Sequence, residues 1–412
     1  MLIRRRWQIA VCMAALLIAS PWSLAGGLWI SEFGAPAMGR AGAGAEAGVD
    51  NASESLYNPA AMSRLTGSQI MVTGGLVLPK IEFDIDRSSL LNGMEDGGDA
   101  GGLAPSGSAF YTRPINDRWR FGANFYGLTG SVLDYNDDWV GRFQATDVEL
   151  VFLGLQPTIS FRVNDRLSLG AGVLLGYTKL ELTVAAPNRT TPLLGPPGEA
   201  TIDGDEFDVA FTLGALLELT DRTRLGITYQ SELKPTYSGD VEVSPADLSV
   251  GVDTALPLAA LLRLGLTHEF TDQLSGHLTV GWDDWSTLDA IGLATESAGA
   301  VLERNWDDTY HYAAGVTYQL NTNWSVQAGL GYDTNPVDKT DRTADLPIDR
   351  QVRYAFGAKH TRPGGMEIAG HLVYADYGSA KIDSLGFAGE YSSNDILFGS
   401  VSFSWPLKGR GN

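Results

Sequence analysis

A two-residue alternation constrains this chain more than any other feature. In Trp324-Ser-Val-Gln-Ala-Gly-Leu-Gly-Tyr332 every even position is apolar and every odd one is small or polar. Tyr310, Tyr312, Ala314, Val316, Tyr318 and Leu320 repeat the pattern. So do Val352, Tyr354, Phe356 and Ala358, then Met366, Ile368, Leu372 and Tyr374. Leu397, Val401, Phe403 and Trp405 end it with the opposite parity. Successive strand side chains point to opposite faces, so these segments are half-buried strands.

The connections alternate too. Tight turns read at Asn116-Asp117, Asn164-Asp165-Arg166, Asp221-Arg222-Thr223, Thr271-Asp272-Gln273, Asn321-Thr322-Asn323 and Arg362-Pro363-Gly364, all residues that turn cheaply. Long polar or Gly/Pro-rich stretches cover 86–103, 128–148, 185–205, 238–254, 286–308, 333–350 and 378–394. Between them lie strands at about 68–85, 104–113, 119–127, 149–163, 167–184, 206–220, 224–237, 256–270, 274–285, 310–320, 324–332, 351–360, 366–377 and 395–405. Fourteen strands with six short turns on one side and seven long loops on the other predict an all-β, antiparallel, transmembrane β-barrel. Sandwich strands average about five or six residues, shorter than most of these. Leu397 to Trp405 resembles a C-terminal strand of the kind barrel-assembly machinery reads, followed by a tail at 406–412.

Export fits that fold. Arg4, Arg5 and Arg6, then the apolar Ile9 to Ala19, then Ser23-Leu24-Ala25, make residues 1–25 a signal peptide cleaved after Ala25. Cys12 is the single cysteine, so the processed chain has no disulfide or thiol chemistry. Losing three arginines with the leader makes the formal charge of −20 more negative still. Such a surface repels nucleic acid. After the leader no apolar run reaches the roughly 18 residues of a membrane helix.

The stretch before the first strand, Trp29 to Leu65, is rich in Gly and Ala and too short to make its own core. A barrel enclosing it would hold it as a plug, placed at residues 26–67 with the barrel at 68–405. It carries Gly39-Arg40-Ala41-Gly42 and Asn58-Pro59-Ala60. Trp29, Ile30 and Phe33 are its apolar side chains, candidates to line or cork a pocket.

Gly39-Arg40-Ala41 with Asn58-Pro59-Ala60 is the first of three stretches that resemble the FadL-type outer-membrane transporters of long-chain fatty acids and hydrocarbons. The second runs from Leu264 to Phe270 and through Trp282 to Asp284-Trp285-Ser286. The third is Trp306-Asp307-Asp308-Thr-Tyr310, Asn323-Trp324, Gly329 and Tyr332-Asp333-Thr-Asn335-Pro336-Val337. The resemblance implies a monomeric barrel in the bacterial outer membrane, among lipid and lipopolysaccharide, with an N-terminal hatch. Hydrophobic small molecules would be captured outside, passed to an internal pocket, and released sideways beside an inward-kinked third strand once the hatch moves. Asn58, Pro59 and Ala60 match the family's hatch motif. Gly122 and Gly127, flanking the third strand with Gly130, become the candidates for the kink. Leu133 to Val148, with Trp139, Val140 and Phe143, is a candidate helical loop element and external landing site.

Fatty-acid carriers of the family place basic residues near the ligand carboxylate. Here Arg304 is the local candidate, and Asp307 and Asp308 beside it favour a neutral hydrocarbon or aromatic ligand. Enzyme readings lack support: His268, His277, His311, His360 and His371 have no metal-ligand spacing, and no Gly-x-Ser-x-Gly elbow is present. No cofactor or metal is expected. The competing reading is a structural or adhesive barrel whose loops bind partners; a plug argues against a hydrophilic porin.

Overall fold

The computed structural model describes residues 35–86, 95–186, 198–244, 248–294, 299–384 and 387–407. Its strands are β1 (Ser68–Ile85), β2 (Ala104–Pro114), β3 (Trp119–Asp134), β4 (Asp147–Arg162), β5 (Leu167–Ala186), β6 (Gly198–Thr220), β7 (Thr223–Gln230), β8 (Thr236–Ser244), β9 (Leu248–Ala255), β10 (Leu261–Glu269), β11 (Leu274–Asp283), β12 (Ala290–Ala294), β13 (Gly299–Glu303), β14 (Thr309–Gln319), β15 (Trp324–Asp333), β16 (Gln351–Thr361), β17 (Glu367–Asp376), β18 (Ile382–Ser384) and β19 (Phe387–Leu407). β1 pairs with β2 on one edge and with β19 on the other, so the sheet closes. Fourteen strands form the wall: β1 to β7, β10, β11, β14 to β17, and β19. The other five continue the sheet above it. β6 pairs with β8, β8 with β9, β9 with β12, and β12 with β13, while β18 pairs with the upper part of β19.

These extensions correct the expected loops at 238–254, 286–308 and 378–394. The sequence Thr236-Tyr-Ser-Gly-Asp-Val-Glu-Val-Ser244 has a polar residue at every second position and lacks the row of large apolar residues that marks the lipid-facing strands. The expected strands at 224–237 and 256–270 are correspondingly shorter, ending at Gln230 and starting at Leu261. The last strand runs past 405, with Pro406 opposite Gln69 and Leu407 opposite Ser68.

The alternation places large apolar side chains outward. Leu155, Ile159, Val173, Phe211, Leu278, Val316, Leu330, Phe356 and Leu372 are all exposed on a surface that meets lipid. Four of the six short turns share one device. Asn116, Asn164 and Asn321 each use Oδ1 to accept from two backbone N–H groups, and Thr271 Oγ1 does the same. This satisfies turn donors that no strand partner reaches.

An apolar cluster caps the opposite end. Trp139 is fully buried there, stacked on Tyr135 at 4.0 Å and edge-on to Phe83 and Phe387 at 6.0 Å. Its indole N–H donates to the Ala145 carbonyl at 2.7 Å. Residues 137–144 form turns, not the helix considered from sequence. Trp139→Ala should loosen this cap by about 3–5 kcal/mol, the usual cost of truncating a buried tryptophan. Proteolytic cutting between Tyr135 and Thr146 in folded protein is the readout.

Candidate functional site

Residues 35–65 lie inside the barrel as a run of short turns: 3-10 segments Pro36–Arg40, Ala45–Ala47 and Pro59–Arg64, with one helical turn, α1 (Glu54–Tyr57). Close approach to the wall requires the wall to lack side chains where the plug rests. Eight inward glycines on eight strands provide this. Gly122 faces Met62 and Ser55; Gly170 faces Pro59 and Ala60; Gly214 faces Asn58. Gly226 and Gly265 face Glu46, Gly315 and Gly329 face Arg40, and Gly357 faces Gly39. A Cβ at Gly265 would sit 2.6 Å from Glu46 Oε2, and one at Gly315 would sit 2.7 Å from Arg40 Cβ. Both are closer than real Cβ contacts.

Hydrogen bonds fix the seated plug. Asn58 caps the Pro59–Arg64 segment by accepting from Ala60 N–H at 3.0 Å, and its Nδ2 donates to Glu46 O at 2.6 Å and to Ala215 O of β6 at 3.0 Å. One buried side chain thus joins two parts of the plug to the wall. At the turn-bearing end, Arg120 donates to the carbonyls of Leu65 and Gly67, Arg162 to Ser63 and Arg224 to Ala47. Thr228 donates to Tyr57 O, and Thr279 Oγ1 accepts from Gly44 N–H and donates to Glu46 Oε2. Arg40, fully enclosed, pairs with Asp50 at 3.1 Å.

The lumen above the plug has two unlike sides. β1 to β6 present Met71, Phe110, Tyr126, Leu150, Phe152, Leu174 and Ala210, all buried, in one cluster with Leu233, Leu258, Trp285 and Trp306 from above. β10 to β16 present ion pairs instead. Arg263 holds Asp283 bidentately at 2.5 and 3.0 Å, and Asp333 accepts from His311 Nδ1 at 2.6 Å and from Arg353.

The wall is interrupted on the apolar side. β2 pairs with β3 from Pro114↔Arg120 to Ser108↔Tyr126, and among the described residues that ladder goes no further. β3 shifts register against β4 between Gly127 and Gly130. Pairing resumes above with the bridge Gly101↔Leu133 and the bond from Asp134 N–H to Ala100 O at 3.1 Å. The wall is therefore unpaired between 103–107 and 127–131, a window in its hydrogen bonding with buried Phe110 and Tyr126 beside it.

The sequence candidates land in different places. Asn58, Pro59 and Ala60 hold the plug on β5 and β6. Gly127 stands at the lip of the window. Gly122 does not: it sits within the intact β2–β3–β4 ladder, and its missing side chain makes room for Met62. Trp139 is cap core, not an exposed landing site. Phe143 is 42% exposed beside it, with the Arg142 guanidinium 4.9 Å from its ring centroid. Arg304 is buried in a bidentate pair with Asp345, at 3.0 and 2.5 Å. Burial opposes ionisation of Asp345, yet Arg304 holds its carboxyl below the usual range. Trp29, Phe33 and the leader lie outside the described residues. Sequence reasoning missed the glycine seat, whose signal is glycine at inward parity on many strands.

Two seat substitutions should separate these roles. Gly329→Leu forces Arg40 off β15, and the plug should become accessible to protease while the wall still assembles. The second test uses pH. Burial, with Asp50 beside it, pushes Glu54 up to about 8. Burial also opposes the charge on Asp50, but Arg40, then Lys359 and His277, hold it down at about 2. Seated Glu54 keeps its proton to about pH 8, whereas released it would lose it near 4.5. Seating therefore weakens as pH rises through that window. At pH 8.5 residues 46–58 should exchange amide hydrogens roughly tenfold faster in wild type than in Glu54→Gln, with the two alike at pH 4.

Residues 16–363 match the sequence family described as outer membrane protein transport protein (OMPP1/FadL/TodX). The chain is 25% identical over 389 residues to the long-chain fatty acid transport protein of Escherichia coli O6:H1, covering 83% of this chain and 86% of that one. It is 23% identical over 400 residues to outer membrane protein P1 of Haemophilus influenzae, covering 86% and 87%. The structure of a Pseudomonas aeruginosa FadL homologue superposes with a TM-score of 0.85 at 21% identity, over 93% of this chain and 100% of that one. The Pseudomonas putida toluene transporter TodX superposes with a TM-score of 0.69 at 17% identity, over 94% and 100%. At those identities the superpositions show a shared fold.

Proposed function

Because this chain belongs to the OMPP1/FadL/TodX family of outer-membrane transport proteins, we propose that it is a passive carrier of hydrophobic small molecules, releasing them sideways through the window between β2 and β3. The observation that carries this reading is the coincidence of that window with the apolar side of the lumen. A molecule held against Phe110, Tyr126, Phe152 and Leu174 lies beside a gap that opens toward lipid. Below it the plug, seated on eight strands, closes the axial route. Sideways release keeps apolar surface out of water, which is worth about 0.8 kcal/mol per CH₂. No covalent chemistry is involved; occupancy shifts the balance between seated and displaced plug.

The charge distribution favours a neutral cargo, an aromatic or aliphatic hydrocarbon, over a fatty-acid anion. Among the described residues Arg40, Arg263, Arg304 and Arg353 each face a carboxylate: Asp50, Asp283, Asp345 and Asp333. A ligand carboxylate binding at any of these four would displace a buried partner, leaving it unpaired at a cost of about 3–5 kcal/mol. In detergent, a neutral apolar probe, phenylnaphthylamine, should bind and be displaced by toluene, with oleate much weaker. Preferential displacement by oleate would contradict the neutral cargo, and absence of probe binding would contradict the carrier. Passage has its own test. Gly127→Phe, at the window lip, should stop uptake with the plug still protease-resistant, whereas Gly122→Leu should loosen the plug. Normal uptake in Gly127→Phe would rule out release at β2–β3.

A further inference from the structure

The wall ladder breaks a second time, at β6. This strand pairs with β7 up to Thr212↔Gln230 and with β8 again from Asp203↔Asp240. After Gln230, Ser231 N–H still donates to Phe211 O at 2.9 Å. The chain then turns into the barrel, where Leu233 and Leu258 exchange two backbone bonds at 3.0 and 2.8 Å and bury their side chains. Residues 204–210 are left with no strand partner on that edge among the described residues. Strand alternation aims the peptide groups of 205, 207 and 209 into the break.

One side chain spans it. Asp208 Oδ1 accepts from Val209 N–H at 2.7 Å, and Oδ2 accepts from Lys234 N–H on the far lip. Outside, Phe207 and Val209 are 73% and 60% exposed, among the most exposed large apolar residues of the wall. The aromatic pairs Tyr177–Phe207 and Phe211–Tyr229 mark this level as the upper membrane interface. At the interface water and headgroups can satisfy unpaired peptide groups, so this edge need not be sealed by a partner strand.

We infer that this seam, between β6 and residues 231–236, is a second lateral portal, by which an apolar molecule dissolved in the outer leaflet reaches the upper lumen. The inference rests on the carrier reading above and adds loading from the membrane to release at β2–β3. Just inside the seam the lining is continuous. Leu233 and Phe152 flank Gly176, and Leu174 and Tyr126 flank Gly154, which leads to the β2–β3 window. Asp208 is the clasp. Its carboxylate joins two backbone donors by charge-assisted bonds, and its removal frees the lips.

The test uses the full protein in phosphatidylcholine vesicles carrying a neutral long-chain alkyl diazirine, with photo-adducts located by peptide mass spectrometry. Inward Leu233 and Phe152 report loading. Labelling of both should persist in Gly127→Phe, where the β2–β3 window is filled. It should rise roughly tenfold in Asp208→Ala, the factor for losing one such bond, and stay within about twofold in Asp208→Asn, which keeps an acceptor. Labelling present in wild type but lost in Gly127→Phe would overturn the second portal and leave the carrier intact. No adduct on any lumen residue would overturn both. If Asp208→Ala fails to assemble, the Gly127→Phe comparison decides alone.

Discussion

A wall that crosses hydrocarbon must pair its own backbone, since no water is there to do so. Closure of β1 onto β19 over eighteen residues of β1 meets that demand for the sheet as a whole. Everything functional in this barrel follows from where the demand is relaxed. Among the described residues strand pairing is interrupted at β2–β3 and at β6, and both interruptions border the apolar side of the lumen. Across the lumen, where β10 to β17 are continuously laddered, the wall carries buried ion pairs. The fold thus sets a continuous, ion-paired side of the wall against an interrupted, apolar one, and the plug is seated on both.

The plug obeys the complementary constraint. It has no core of its own and borrows one by lying against backbone. Glycine at inward positions lets Arg40, Glu46, Asn58 and Ala60 approach within van der Waals distance of the sheet. Arg120 and Arg162 pin its last residues, 63–67, next to the start of β1. Upstream, the buried Arg40–Asp50 pair and the protonated Glu54 make seating sensitive to charge. Displacement, on this account, is a motion of the upstream turns about a fixed downstream anchor.

Much of the wall was legible in the sequence because lipid on one face and lumen on the other enforce alternation. The alternation marks β1 over its full extent and β14 to β17 within a residue or so at each end. Above the membrane that enforcement ends, so β8, β9, β12 and β13 carry no lipid-facing row to distinguish them from loops. The site was less legible, for a different reason. Gly122 and Gly127 look identical along the chain; what separates them is Met62 lying against one and an unpaired neighbour strand beside the other. Trp139 announced an apolar cluster, but not whether it would be exposed or, as found, buried under Phe83 and Phe387. Arg304 looked available because Asp345, its partner, is forty-one residues away. Pairings of that range are set by the barrel, not by local pattern.

The most direct test of the account is to locate the cargo. Crystals of the protein soaked with a bromoalkane would show bromine by its anomalous scattering. The account predicts peaks along Phe152, Leu174, Tyr126 and Phe110, with density reaching the window between β2 and β3, and the plug still in place beneath. Peaks that instead run past Arg40 and Asn58 to the turns at Asn116 and Asn164 would show an axial route and contradict sideways release.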